Sequence, residues 1–163
     1  MRTLELHASA KQIQRSSGRS SVAAAAYRSG TRLEDERTGL VHDYTKKQGV
    51  EHSRIYLPDN APEWARDRSK LWNAAEVKEN RSNSCVANEL QVGFPAEFNA
   101  MQRREAGDTL CRELMRRYRC AVDIAYHQPS KNGDDRNYHA HILFTTRGFD
   151  SVTKDGWAAK KYR

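Results

Sequence analysis

Apolar residues in this chain follow a two-residue period in some stretches and a helical period in others, and the alternation of the two predicts its elements. Leu4, Leu6 and Ala8 alternate with Glu5, His7 and Ser9, which predicts a first strand over Thr3 to Ser9 with the two sets on opposite faces. The polar, basic stretch from Lys11 to Arg19 then reads as a loop. Ser20 through Gly30 predicts a short helix, with serine capping its start, alanines filling it and glycine stopping it. Residues 32–44 predict a hairpin that turns at Thr38-Gly39, and His52 to Leu57 another short strand. Asn60-Ala61-Pro62-Glu63 carries the signature of a helix start with Asn60 as its cap. Trp64, Arg68, Leu71, Trp72 and Ala75 would share one face of that helix, a spacing that favours packing over base stacking.

Glu89 to Phe94 alternates strictly, with Leu90, Val92 and Phe94 toward a core and Glu89 and Gln91 on the other side. Asn99 to about Tyr118 reads as a capped helix. Ala121 to His127 and Tyr138 to Thr145 read as an antiparallel strand pair joined by the polar loop Gln128 to Asn137. This order favours an α+β fold, with helices packed on one face of a mostly antiparallel sheet.

Composition narrows the function. With 163 residues the chain is long enough for one compact domain with its own core. No apolar run reaches the roughly 18 residues of a membrane span, and the N-terminal residues lack the apolar core of a signal peptide, so a cytoplasmic protein without membrane insertion is expected. Cys85, Cys111 and Cys120 match no zinc or redox spacing and read as reduced structural residues. The net charge of +7 and a pI near 9.5 point to a polyanionic partner, nucleic acid first. Residues 1–32 hold six arginines and lysines against the single acid Glu5. A basic surface with no partner gives the same charge pattern.

His139-Ala140-His141 is the chemical centre. Residues two apart in a strand share a face, so both imidazoles project together while Ala140, Ile142 and Phe144 point into the core. His127 ends the preceding strand, and an antiparallel return would set a third imidazole beside them. Three neutral imidazoles can hold one divalent ion with positions open for substrate. The competing reading makes these the surface histidines of a hairpin. In a basic protein a metal site suggests phosphoryl chemistry, which needs a nucleophile. Tyr27, near the end of an Ala-rich helix in the most basic region, is a candidate, although pattern alone does not single it out among seven tyrosines.

Resemblance adds what pattern leaves open. Gly18 through Gly30 resembles the nucleophile segment of MobA/MobL-type relaxases. Asp35-Glu36-Arg37-Thr38-Gly39 with Val41-His42-Asp43-Tyr44-Thr45 is similar to the hairpin that follows it. His127-Gln128-Pro129 through Gly133 to His141 resembles the family's three-histidine motif and its loop, and the similarity spans roughly residues 1–147 in order.

The resemblance implies an HUH-type single-strand endonuclease with a palm of antiparallel sheet and helices packed on its faces. It implies that Tyr27 attacks a phosphodiester at a plasmid origin of transfer, leaving a 5′-phosphotyrosine and a free 3′ hydroxyl, and that the strand is later rejoined. It also implies a divalent metal on His127, His139 and His141, magnesium or manganese in cells, with zinc or nickel favoured on intrinsic affinity in isolated protein. Glu89 matches the family's supporting acid. Gln91 stands where related sequences often carry a second glutamate. His7 matches a histidine of the first strand and would touch DNA or support a metal ligand. Lys11, Arg15, Arg19 and Arg28 are the expected DNA contacts, and Asp134 or Asp135 could orient a ligand histidine.

The implied partners are single-stranded DNA at the origin, accessory relaxosome proteins and transfer-coupling proteins. The whole of 1–163 reads as one nicking domain, which family members usually extend into longer chains. A replication initiator or transposase nuclease of the same superfamily is the rival within the class. A non-catalytic nucleic-acid-binding module with structural histidines is the rival from another. A zinc hydrolase of small substrates fits neither the charge nor any pocket signature.

Overall fold

The structure, a computed structural model, describes residues 6–162. Seven strands and three α-helices follow in the order β1 (His7–Gln14), α1 (Ser21–Ser29), β2 (Arg32–Asp35), β3 (Leu40–Asp43), β4 (Val50–Tyr56), α2 (Arg68–Lys78), β5 (Cys85–Gly93), α3 (Ala100–Tyr118), β6 (Val122–His127) and β7 (His139–Phe144). Five strands form one antiparallel sheet in the order β1-β5-β7-β6-β4, and β2 and β3 form a separate hairpin. The α+β class expected from the sequence holds; helices cover both faces of the sheet, as the resemblance implies, and not the single face that element order alone favours.

One face packs against α3. Val92, Val122, Ile124, Tyr126, Ala140, Ile142 and Phe144 meet Cys111, Leu110 and Leu114 there. Helix α3 starts as the sequence predicts, because Asn99 and Gln102 close a reciprocal capping box. It lies so close to β6 that any side chain at Gly107 would collide with the ring and hydroxyl of Tyr126. The other face packs against α1 and α2. Val22, Ala25 and Ala26 of α1 and Leu71, Trp72 and Ala75 of α2 cover Ala87 and Leu143. Asp123, on that face, is held by Arg68 at 2.8 and 2.9 Å and by the Trp72 indole at 3.0 Å, so a buried acid is fully paired.

The end of β1 and the start of α2 differ from the sequence reading. Strand β1 runs on to Gln14, through residues read as loop, and the expected start at Thr3 lies outside the described residues. It is an edge strand paired only with β5, exposed along most of its length, so neither face needs apolar residues; Leu6 is exposed and Ile13 is its buried anchor. Asn60 does not cap α2; its amide donates to the Phe149 carbonyl instead. A short 3-10 turn, Glu63–Arg66, comes first, and Asp67 caps α2 through the Lys70 N–H at 3.0 Å. Trp64 therefore sits on the turn, tilted against Trp157 and Phe149, while Trp72 is fully buried. The three cysteines are free, with Cys111 and Cys120 buried.

Candidate metal centre and nucleophile

Sheet register builds the site. His127, the last residue of β6, pairs directly with His139, the first of β7, and His139 pairs with Gly93 and through it with His7. The next row on the same face holds Ser9, Gln91, His141 and Ala125, and the third holds Lys11, Glu89, Leu143 and Asp123. The ring centroids of His127, His139 and His141 lie 4.8–5.3 Å apart, and each offers a ligand nitrogen within 4.8 Å of the others.

Each imidazole has one ring nitrogen engaged by an acceptor. His127 Nε2 donates to the Arg28 carbonyl at 2.8 Å, His139 Nδ1 to the Asn137 carbonyl at 3.0 Å, and His141 Nδ1 to Glu89 Oε1 at 3.2 Å. An acceptor on one nitrogen places the proton there and leaves the other as a lone pair. Burial, with His141 and Lys47 nearby, pushes the His127 pKa down to about 3. Burial also lowers His141, against the opposing pull of Glu89. Both rings are thus neutral near pH 7, and the His141–Glu89 contact is a hydrogen bond to a carboxylate, not an ion pair between two charges. Three imidazoles, each with one ring nitrogen engaged and the other free, fit a divalent ion.

Glu89 is buried between cations. Burial alone would raise its pKa, but the His141 hydrogen bond, Arg28 and Lys11 outweigh it and hold it down at about 2. Arg28 reaches it with Nε and Nη2 at 3.3 and 3.2 Å, and Lys11 Nζ stands 3.6 Å away. Arg28 thereby ties the last turn of α1 to both β5 and β6.

That turn carries Tyr27. Ser20 caps α1 through the N–H groups of Val22 and Ala23, and Gly30 ends it in the left-handed region at φ 67°. Tyr27 is 43% exposed in a largely buried helix. Its ring meets Tyr44 edge-on at 5.0 Å and lies under Lys47 Nζ, 3.5 Å from the centroid. Lys47 also donates to the Tyr27 carbonyl at 2.9 Å, a cation at a helix C-terminus. Burial, then Arg28, lowers the Lys47 pKa to about 8. Nothing in the sequence separates Lys47 from its neighbour Lys46.

The structure scatters the expected DNA contacts. Lys11 and His7 are exposed on β1, on the face that carries the histidines. Arg19 is half-buried beside a cavity between α1 and the β2–β3 hairpin. Arg28 spends its guanidinium on Glu89. Arg15 is turned into the fold, where it donates to the carbonyls of Glu76 and Arg81 and pairs with the Glu76 carboxylate, which leaves 9% of its side chain exposed. Its expected place on a DNA-facing surface does not fit that burial. Asp134 folds back on Arg136, and the contact that orients His139 is instead the Asn137 backbone. Gln91 is exposed beside His141.

Comparison with known proteins agrees with this fold. The chain is 39% identical to a mobilization protein MobL of Acidithiobacillus ferridurans over 95% of its own length and 45% of that protein. It is 32% identical to a conjugal transfer protein TraA of Agrobacterium fabrum, over 95% of the chain but 14% of the relative. It thus spans less than half the length of these relatives. A solved structure described as the molecular basis of vancomycin resistance transfer in Staphylococcus aureus superposes with a TM-score of 0.84 at 32% identity, covering 96% of this chain and 77% of that one. The model of the MobA/MobL family matches residues 19–163, α1 and the β6–β7 hairpin included, and the chain belongs to that family.

Proposed function

We propose that this chain is the DNA-nicking domain of a relaxase, cutting one strand at a plasmid origin of transfer and rejoining it. The observation that supports this most is the direct tether between the three-imidazole cluster and the turn that presents Tyr27. The phenol oxygen of Tyr27 attacks the phosphorus, the bond to the 3′ oxygen breaks, and the strand is left as a 5′-phosphotyrosine with a free 3′ hydroxyl. The phenol gives up a proton and the 3′ oxygen takes one up, so the exchange of esters is balanced and reversible. A divalent ion held by His127, His139 and His141 would polarise a phosphate oxygen and offset the charge that develops there. Magnesium or manganese is the proposed ion in cells, with zinc or nickel in isolated protein.

Glu89 serves this reaction by orienting His141 and Arg28. A carboxyl held at a pKa of about 2 is a poor proton acceptor, so its role is positional. With Gln91 uncharged beside His141, no second carboxylate stands at that position. Lys47 holds the Tyr27 ring from its face and stays clear of the hydroxyl edge, which leaves the oxygen free for phosphorus. Single-stranded DNA binds along the basic surface, Lys11 and Arg19 included, in the cytoplasm, with accessory and transfer-coupling proteins completing the assembly. A binding module with structural histidines would hold the strand but leave it intact.

The experiment is incubation with a labelled single-stranded oligonucleotide carrying the cognate origin and manganese, read on a denaturing gel. A protein-linked band that needs metal is the expected result. Tight binding with no covalent product would refute the relaxase reading.

A further inference from the structure

Helix α1 is short and filled with alanine, so its place in the fold is set mainly at its ends. Methyl groups make shallow ridges, and the packing of Val22, Ala25 and Ala26 against α2 and the sheet does little to stop the helix sliding along its axis. The C-terminal end is fixed by Arg28, whose guanidinium meets the buried carboxylate of Glu89 and whose carbonyl accepts from His127. The N-terminal end is fixed by a second fully buried carboxylate, that of Glu76 on α2.

Ser21, the first residue of α1, donates to Glu76 Oε2 from its hydroxyl at 2.8 Å and from its N–H at 3.3 Å. An acid at that place satisfies one of the open N–H groups of the helix and complements its dipole. Arg15, just after β1, lies 3.4 Å from Glu76 Oε1, and Arg37, in the β2–β3 turn, lies 3.6 Å from the same oxygen. Arg15 also donates to the Glu76 carbonyl at 2.9 Å. Three residues earlier on the same side of α2, Asn73 accepts the Glu36 N–H and donates to the Glu34 carbonyl, each at 2.9 Å. One acid thus joins the edge strand, the hairpin and α1 to α2.

We propose that Glu76 is a positioning residue for the attack by Tyr27: with Glu89 it clamps α1 from both ends and so sets where Tyr27 stands relative to the three imidazoles. The inference rests on the relaxase reading for its reaction and adds to it a residue outside the histidine cluster. Ser21 and Tyr27 are about 9 Å apart along the helix axis. A helix this short is stiff, so a shift at Ser21 is felt at Tyr27, and a misplacement of about 1 Å can cost roughly a hundredfold in rate. Without the grip of Glu76, α1 slides or pivots about its Arg28 end, and the phenol spends less time in line with the phosphorus. Metal affinity, carried by β6 and β7, and strand affinity, carried by the basic surface, stay as they were.

The test is single-turnover adduct formation with the labelled origin oligonucleotide at saturating strand and manganese, at a temperature where every variant is folded. Glu76→Gln keeps the shape and an acceptor oxygen for Ser21 but gives up the charge that holds Arg15 and Arg37. Its adduct rate constant should fall about tenfold or more, with the Kd for the strand in EDTA and the Kd for manganese unchanged. Ser21→Ala removes one hydroxyl, leaves both arginines paired, and should lower the rate constant several-fold; it decides the matter if Glu76→Gln fails to fold. Ile124→Ala, on the α3 face, is the control for stability: its thermal midpoint should fall and its rate constant should not. Hydrogen exchange of peptides from residues 21–30, read without DNA, should quicken in Glu76→Gln. An unchanged rate constant in Ser21→Ala, an equal fall in Ile124→Ala, or a loss of strand affinity in place of rate overturns the positioning role alone. Parent-like exchange across α1 in Glu76→Gln overturns the clamp whatever the reaction. An unaltered protein that forms no adduct overturns the relaxase reading and the positioning role with it.

Discussion

The two faces of the five-stranded sheet come from the same strands, one residue out of step, and they differ in almost everything else. Toward α3, β6 and β7 present Val122, Ile124, Tyr126, Ala140, Ile142 and Phe144, a surface held by apolar burial. Toward α1 and α2 the same two strands present Asp123, Ala125, His127, His139, His141 and Leu143, and β5 adds Glu89. Burying that second set is tolerable because each acid is met: Asp123 by Arg68 and Trp72, Glu89 by Arg28, His141 and Lys11. Apolar burial alone holds one face, while the other adds a cluster of paired acids and imidazoles to its packing on α1 and α2, and a strand's two-residue period makes the division without any loop.

The division can be attacked at several strengths. The most complete effect is expected at Tyr27, where Tyr27→Phe removes one oxygen and keeps the ring under Lys47. DNA binding should persist while the covalent product disappears altogether, as judged by mass spectrometry of tryptic peptides. Adduct recovered on another tyrosine would move the nucleophile off α1. Next in size, His139→Ala should weaken manganese binding by roughly a hundredfold or more, more than the loss of a residue that merely supports a ligand. Because His139 is only half-buried, its thermal midpoint without metal should barely move. Calorimetric titration showing unchanged affinity would dissolve the three-histidine site.

Ile142→Ala probes the opposite face from the same strand. It should cost about 2–5 kcal/mol in urea unfolding while the folded fraction still binds metal normally. Equal damage to stability and metal affinity would mean that the faces are not separable. The smallest effect concerns Lys47. With its pKa near 8, its ammonium is present over the Tyr27 ring below that pH and is lost above it. Lys47→Arg keeps the charge at all pH values. Single-turnover adduct formation in Lys47→Arg should match the parent at pH 7 and exceed it a few-fold above pH 8. Superimposable pH profiles would remove the cation from any part in the attack.

Much of this arrangement is written locally. The β6–β7 hairpin is legible because strict alternation flanks a polar loop, and α3 because Asn99 and Gln102 form its box within four residues. Helix α1 is equally plain, since its cap, its alanines and its stop are contiguous. What escapes the sequence is decided at a distance. Strand β1 reads as a loop beyond Ser9 because an edge strand wetted on both faces has no apolar period. Asn60 imitates a cap, yet Phe149, 89 residues away, claims its amide. Arg15 and Arg28 look like surface cations until the fold brings Glu76 and Glu89, each 61 residues on, to meet them. Lys47 owes its place to the packing of the β3–β4 connection over α1, which no spacing of residues announces.

The bond from His127 to the Arg28 carbonyl has a consequence for how such a protein can change through descent. The acceptor is main chain, so every amino acid at position 28 supplies it. A lineage can replace the guanidinium, and with it the charge balance around Glu89, without cutting the tie between the histidine cluster and the helix that bears Tyr27. The exposed side chains of the hairpin and the edge strand are open to drift and selection, while the spacing of α1 and the three-histidine cluster is held by an atom that substitution cannot delete.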